Sequence, residues 1–548
     1  MTHYKSRQTV VCSLVLGCLM AGVGGRALHG QSAATRPNIL LIVADDLGFA
    51  DLGVYGSEIR TPNIDQLATE GLLFTQFHTA PLCAPTRAMP LSGNNNHVAG
   101  MGSQFSQGAM QQIPGFESHL SDRIVPFPRL LRDAGYDTYT VGKWHLGDAP
   151  EHSPRAAGFQ RSFQLLHGAA NHFDATGIRP GGSLYRADGE LAEYPAGEYS
   201  TTVFTDRLIE FIETSQDSDR PFFAFAAYTS PHWPLQVPEE DLNLYRGRYD
   251  AGYDRLREQR FESLQSAGII PGHWTLPPRN DAITPWADLS PDEQRRESRK
   301  MELYAAMVDN LDRHVGRLLE AVRANGLYED TVVIFMGDNG AAAEDFYNGY
   351  SHSNFQSYLR ANYDNAYENM GKPSSFISYG PQWAEAGSAP FSRHKTYTRE
   401  GGLVAPMIVA GRGVERRGEQ TDTYATVMDL APTILEWGQA TYPTDGSVQP
   451  MRGESMTPLL TRVTNTVHDD QYVTTLYHGG QALVRRGRWK LVNLEGPFSE
   501  DSFELFDLQQ DPGETTNLAD AEQERFAEML ALWRSERQAL GILLPEDF

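Results

Sequence analysis

The sequence predicts an α/β fold: a doubly wound, mostly parallel central sheet flanked by helices, followed by a smaller C-terminal α+β region with a short antiparallel sheet. Three observations carry this expectation. Short uninterrupted apolar runs occur at 39–44, 222–228 and 331–336, and each stops at polar residues and turn formers. Such runs suit strands buried on both faces of a parallel sheet. Helical spacing fills the gaps between them, which is the alternation of a βαβ chain. Beyond about residue 440 the texture changes to brief strand-like stretches separated by turns.

The chain opens on Lys5 and Arg7, an apolar stretch from Thr9 to Val23, and small residues around Ser32-Ala33-Ala34. That is the pattern of a signal peptide over 1–33. The stretch is short for a transmembrane helix and ends at Gly24-Gly25-Arg26. The expected destination is the periplasm or the extracellular medium, with no membrane contact beyond the leader.

The first strand runs from Ile39 to Ala44 and ends in Asp45-Asp46. Ile64 to Gly71 reads as a helix. Pro85 and Thr86 are good first-turn residues, so a helix is expected to begin at Cys83. Phe127 to Ala134 is helical in pattern and Thr138 to Val141 strand-like. Phe222 to Tyr228 leads to Ser230-Pro231-His232. Met301 to Asn325 is the longest helical pattern, with apolar residues at 303, 307, 311, 315, 318, 319 and 322. Thr331 to Met336 ends in Gly337-Asp338-Asn339-Gly340. Residues 340–400 are rich in Gly, Ser, Asn, Tyr and Pro and predict a long loop region. Four short strands follow within 471–477, 482–485, 489–492 and 503–506, then a helix over 521–540. The expected division is a catalytic region over 34–445 and a subdomain over 446–548.

The 548 residues exceed what one core supports, and the formal charge is −24 without a run of Lys or Arg. A nucleic-acid partner needs a basic face, so that class is excluded. Of three cysteines, Cys12 and Cys18 fall in the leader. The mature protein would keep Cys83 alone, with no internal disulfide. A single thiol in an oxidising compartment is either a buried core group or a reactive one.

Polar residues stand at three strand ends, and in open α/β sheets sites form beyond those ends. Asp45, Asp46, Asp338 and Asn339 offer oxygen donors from two ends. Two adjacent carboxylates repel, and a hard cation removes that penalty; all-oxygen ligation favours Ca²⁺ or Mg²⁺ over zinc. Cys83 at a helix N-terminus would face unpaired N–H groups, with Arg87 one turn further on the same face. That setting suits an anionic nucleophile and an anionic substrate. Taken singly, Lys143, His145, His232 and Lys395 have ordinary readings as surface or loop-bracing groups.

Cys83-Ala84-Pro85-Thr86-Arg87 followed by Leu91-Ser92-Gly93 resembles the sulfatase signature C-x-P-x-R and its downstream tail. Asp45-Asp46, Gly142-Lys143-Trp144-His145-Leu146-Gly147 and Gly337-Asp338-Asn339-Gly340 occur in that family's order. The likeness is nearest to bacterial arylsulfatases of the Pseudomonas type, through 229–235 and 245–252. The resemblance implies that a formylglycine-generating enzyme oxidises Cys83 to formylglycine, whose hydrate attacks a small-molecule sulfate ester. It implies one Ca²⁺ held by Asp45, Asp46, Asp338, Asn339 and residue 83. Arg87 would hold the modified residue, while Lys143 and Lys395 bind sulfate. His145 would help expel sulfate from a sulfated hemiacetal after S–O cleavage. His232 with Lys395 would assist the departing oxygen.

The chain departs from the family in one place: Pro90 stands where relatives carry Leu, and an interior proline is expected to end or kink the Cys83 helix. Two other function classes fit parts of the pattern. One is a phosphodiesterase or phosphonate monoester hydrolase of the same superfamily. The other is a non-catalytic binding protein on a sulfatase scaffold, which predicts losses among the metal and cationic positions; none is lost.

Overall fold

The computed structural model describes residues 36–548 apart from 105, 215–218, 350–352, 495–497, 545, 546 and 548. The leader expected over 1–33 lies outside the described residues. Ten strands form the main sheet, in the order Glu419–Thr421, Gly71–Phe74, Met407–Gly411, Thr331–Gly337, Asn38–Ala44, Phe222–Ala227, Asp137–Lys143, Arg161–Leu165, Tyr185–Ala187 and Glu190–Ala192. The central five, from Thr331–Gly337 to Arg161–Leu165, are parallel, as the apolar runs predict. Met407–Gly411 runs antiparallel between Gly71–Phe74 and Thr331–Gly337, and the last two strands form an antiparallel margin.

The first strand shows why the sheet is covered on both faces. Leu40, Ile42 and Ala44 enter one core, shared with the helices Ser200–Thr214 and Pro291–Ala324. Ile39, Leu41 and Val43 enter the other, shared with Cys83–Ser92, Phe127–Asp133 and Leu430–Gly438. Side chains alternate across a strand, so a run apolar at every position serves two cores at once.

The helix expected over 301–325 extends back to Pro291, where Ser290 and Glu293 form a capping box. The long loop expected over 340–400 is corrected by helices at Ser353–Asn362 and Gly380–Gly387. Gly and Pro mask the period of the second and polar residues that of the first, but Leu359, Trp383, Ala384 and Ala386 are buried. The Cys83 helix does not stop at Pro90. It runs to Ser92 and closes on Gly93, whose φ of 65° suits glycine and whose N–H donates to the Met89 carbonyl at 2.8 Å. All ten residues of that helix are buried, and packing outweighs the local penalty of the proline.

Near the C-terminus, Val473–His478, Gln481–Arg486, Trp489–Asn493 and Glu504–Asp507 form a four-stranded antiparallel sheet. Helix Gln523–Leu540 covers it through Met529 and Trp533, which pack on Tyr477, Val484, Leu491 and Leu505. Among the described residues no helix is long and apolar enough to cross a membrane.

Candidate active site

Three strand ends meet because their strands are neighbours. Asp45 follows the first strand, and its N–H donates to the Ser230 carbonyl at 3.1 Å; Asp338 N–H donates to the Ala44 carbonyl at 3.1 Å. Asp46 takes a left-handed φ of 65° and donates its N–H to Asp338 Oδ1 at 3.0 Å. At the end of Asp137–Lys143, Gly142 has φ 96°, and a Cβ there would lie 1.8 Å from the Ala227 carbonyl oxygen. Only glycine allows this close approach, and it delivers Lys143 to the cleft.

The cleft pairs acids with cations at short range. Lys143 Nζ donates to Asp45 Oδ2 at 2.6 Å. Lys395 Nζ lies 2.8 Å from both Asp46 oxygens. Arg87 donates to Asp338 Oδ2 at 3.2 Å and to the Lys143 carbonyl at 2.9 Å, with Asp45 Oδ2 at 3.5 Å. Asn339 Nδ2 donates to Asp46 Oδ1 at 2.7 Å. Cys83 Sγ lies 3.9 Å from Asp46 Oδ1, at the first residue of its helix. His232 Nε2 lies 3.3 Å from Asp46 Oδ2, and its Nδ1 donates to the Trp233 carbonyl at 2.6 Å. His145 sits apart from these contacts, at φ 59°, with its ring over Gly168 and Nδ1 without a partner. Nine of the ten residues singled out from the sequence therefore touch one another through side-chain contacts, and His145 flanks Lys143 in the chain.

Burial opposes every charge here, and the pairing decides the outcome. Burial alone would raise Asp46, but Lys395, His232 and Lys143 outweigh it and hold the carboxyl far below its ordinary range. Burial raises Asp338 to about 7, reinforced by Asp45 and only partly offset by Arg87. Lys143 and Lys395 stay cationic because Asp45 and Asp46 respectively outweigh the effect of burial. Burial, with Lys143 among the cations nearby, pushes His145 and His232 well below the usual histidine value. Burial pushes the Cys83 thiol up.

The donor set can be tested for a hard cation. Asp45 Oδ1 and Asn339 Oδ1 are buried oxygens with no hydrogen-bond partner. Each such orphan costs roughly 1–3 kcal/mol, and an oxygen-seeking cation satisfies both. The residues fit such an ion, although Asp338 spends both oxygens on Asp46 N–H and Arg87.

Three contributors are not apparent in the sequence. Glu344 Oε1 lies 3.5 Å from Lys395 Nζ, and its Oε2 is buried without a partner. His172 Nε2 donates to the His232 carbonyl at 3.1 Å and so braces the loop. Asp51 accepts from Gly48 N–H at 2.9 Å, Tyr304 at 2.6 Å and Arg260 at 2.5 Å, which fixes the turn carrying Asp45 and Asp46. Only the position of Glu344, five residues past Asn339 on the same loop, offered a signal.

A central α/β sheet with acids, cations and a helix-borne thiol at its strand ends has the architecture of hydrolases of the alkaline phosphatase superfamily. The sulfatase family profile matches residues 37–440, and the profile for the C-terminal region of N-sulphoglucosamine sulphohydrolase matches 393–536. An uncharacterized sulfatase of Schizosaccharomyces pombe is 37% identical over 95% of this chain and 97% of its own length. An arylsulfatase of Klebsiella aerogenes is 35% identical over 76% of this chain and 90% of its own. The solved structure of Ps i-CgsB shares the fold with a TM-score of 0.65, at 23% identity over 91% of this chain and 92% of its own. The chain belongs to the sulfatase family and is a sulfuric ester hydrolase.

Proposed function

We propose that the protein is an exported, Ca²⁺-dependent hydrolase of sulfate monoesters of the arylsulfatase type, with a nucleophile made from Cys83 by a formylglycine-generating enzyme. The observation that carries the reading is the convergence of Asp45, Asp46, Asn339, Lys143, Lys395 and Cys83 around two orphaned buried oxygens. Asp45, Asp46, Asn339 and residue 83 would hold the cation, with Asp338 bridging Asp46 N–H and Arg87. Once bound, the cation would supply positive charge beside a sulfuryl oxygen, and residue 83 as a hydrated aldehyde would offer two hydroxyls, one as nucleophile and one to release sulfate.

The remaining work falls to side chains on the page. Lys143 and Lys395 carry permanent charge in a dry cleft and stabilise the anion that grows on the transferring group. Arg87, bound to the Lys143 carbonyl and Asp338, fixes the first turn of the Cys83 helix beneath it. His145 is held unprotonated by burial and by Lys143 and Arg87, so its Nδ1 can accept the proton released when sulfate leaves. His232 has Nδ1–H committed to Trp233, so only Nε2 can hold or move a proton at the departing oxygen, beside the Lys395 ammonium.

Peptide mass analysis of protein from a maturation-competent host tests the nucleophile. The Cys83 peptide should lose one sulfur and two hydrogens and gain one oxygen. Rates on nitrophenyl sulfate, phosphate and phosphodiester, each with calcium supplied or chelated, test the rest. Calcium-dependent turnover fastest on the sulfate is expected; a clear preference for a phosphate ester would replace this reading with the phosphoryl one.

A further inference from the structure

The same cleft holds a second donor set that does not match calcium. Cys83 Sγ, one ring nitrogen of His232 and one oxygen each from Asp45 and Asp46 lie within 4.8 Å of one another, and all four residues are buried. His232 is prepared as a ligand. The Trp233 carbonyl can only accept, so the hydrogen bond at 2.6 Å places the ring proton on Nδ1 and leaves a lone pair on Nε2. This is the outer hydrogen bond that orients metal-binding histidines. That lone pair faces Asp46 Oδ2 at 3.3 Å, an acceptor against an acceptor, which an intervening cation relieves. Asp45 Oδ1, on a fully buried side chain, has no partner of its own.

One sulfur, one imidazole nitrogen and two carboxylate oxygens make up a tetrahedral zinc-type donor set, while calcium takes oxygen. Zinc bond lengths of about 2.0 Å to N or O and about 2.3 Å to S put ligand atoms roughly 3.3–3.6 Å apart. The observed spread needs to contract by about 1 Å at its widest to reach that geometry. Lys143 occupies the other oxygen of Asp45, and Lys395 must yield one oxygen of Asp46.

We propose that the chain with Cys83 still a thiol binds Zn²⁺ through Asp45, Asp46, Cys83 and His232, and that replacing the sulfur of residue 83 by oxygen shifts the site to Ca²⁺. On binding, the S–H proton leaves to solvent and the thiolate takes the metal. The metal then covers the Cys83 thiol, which an oxidising compartment would otherwise attack. The second half rests on the calcium–formylglycine reading above; the first half does not.

The test uses the full chain produced without a maturation enzyme and stripped of metal. It is titrated with Zn²⁺, Ca²⁺ and Co²⁺. One Zn²⁺ per chain is expected, with Ca²⁺ binding far weaker. The Co²⁺ form should show a sulfur-to-cobalt charge-transfer absorption. Cys83→Ser and His232→Asn should each weaken Zn²⁺ binding by on the order of 100-fold, with Cys83→Ser also losing the absorption. Thermal melts of each variant check folding, and the cobalt spectrum of the unaltered chain stands independent of them. No zinc binding, no sulfur band, or full zinc affinity in Cys83→Ser would overturn the proposal. Matured protein that hydrolyses sulfate esters while the thiol form binds no zinc refutes this inference alone. Zinc binding by a chain whose matured form lacks sulfatase activity supports it and refutes the function proposed above.

Discussion

Asp338 gives the metal-free protein one separable part of its pH response. Its side chain is fully buried, and burial together with Asp45 raises its carboxyl from 3.8 to about 7. In the unfolded chain it returns to the ordinary value. Between those two values the folded state holds the proton more tightly, so the contribution of Asp338 to stability falls as pH rises from about 4 to about 7 and then levels off. The slope reaches about 1.4 kcal/mol per pH unit and the total about 4 kcal/mol, an order-of-magnitude figure because Asp338 titrates together with its neighbours. Asp338→Asn resembles the protonated form and removes this contribution. It should match the wild type below about pH 4, exceed it by about 1.6 kcal/mol at pH 5 and by about 4 kcal/mol at pH 8. The assay is urea unfolding of chelator-treated protein at half-unit steps from pH 5 to 8. Taking the difference between the two proteins cancels the other titrating groups. A wild-type-minus-variant difference that is flat across the window, or that grows in favour of the wild type, would refute the burial-dominated account of this carboxylate.

Four further outcomes follow from the same geometry. Lys490 Nζ, fully buried, donates to Glu400 Oε1 at 2.6 Å and pairs with Glu514 Oε1 at 2.8 Å; Lys490→Met strands two buried carboxylates and should cost about 3–5 kcal/mol in denaturant unfolding. Pro90→Ala restores a helical N–H worth about 3 kcal/mol and gives up two buried methylenes worth about 0.8 kcal/mol each, so a net gain of about 1 kcal/mol should appear as a raised Tm. Lys143→Ala, which removes a buried cation 2.6 Å from Asp45, should lower kcat on nitrophenyl sulfate by about 10²–10³, in line with losing one charge-stabilising donor. Because burial keeps His145 below the ordinary histidine value, it stays a base until the pH falls through that lowered value; the acid limb of kcat should lie below 6.5, the ordinary value, and His145→Asn should remove it.

What the sequence discloses follows from where each residue's partners lie. The strands Asn38–Ala44, Phe222–Ala227 and Thr331–Gly337 are legible because burial on both faces leaves no polar position to break the run. Glu190–Ala192 and Glu419–Thr421, at the two margins, are three residues long with no buried residue, so no period can show. The strand-end acids are legible for the same reason as the strands, since a carboxylate pair after an apolar run needs an explanation. Lys395 does not share that advantage. It lies in a polar loop, and only the family resemblance marks it; its role appears when Asp46, 349 residues away in the chain, accepts its proton donors. Asp51 meets Tyr304 across 253 positions and Glu344 meets Lys395 across a loop, contacts that no local pattern encodes. Pro90 makes the complementary point. Local propensity argues that the Cys83 helix should stop there, yet Ala84, Ala88, Met89 and Leu91 are buried against the core that holds Leu430 and Ala431. A helix positioned by tertiary packing tolerates a weak turn, provided that its first two turns, which carry Cys83 and Arg87, precede the proline. Pro90 lies seven residues after the nucleophile position, so its penalty falls on the part of the helix that does no chemistry.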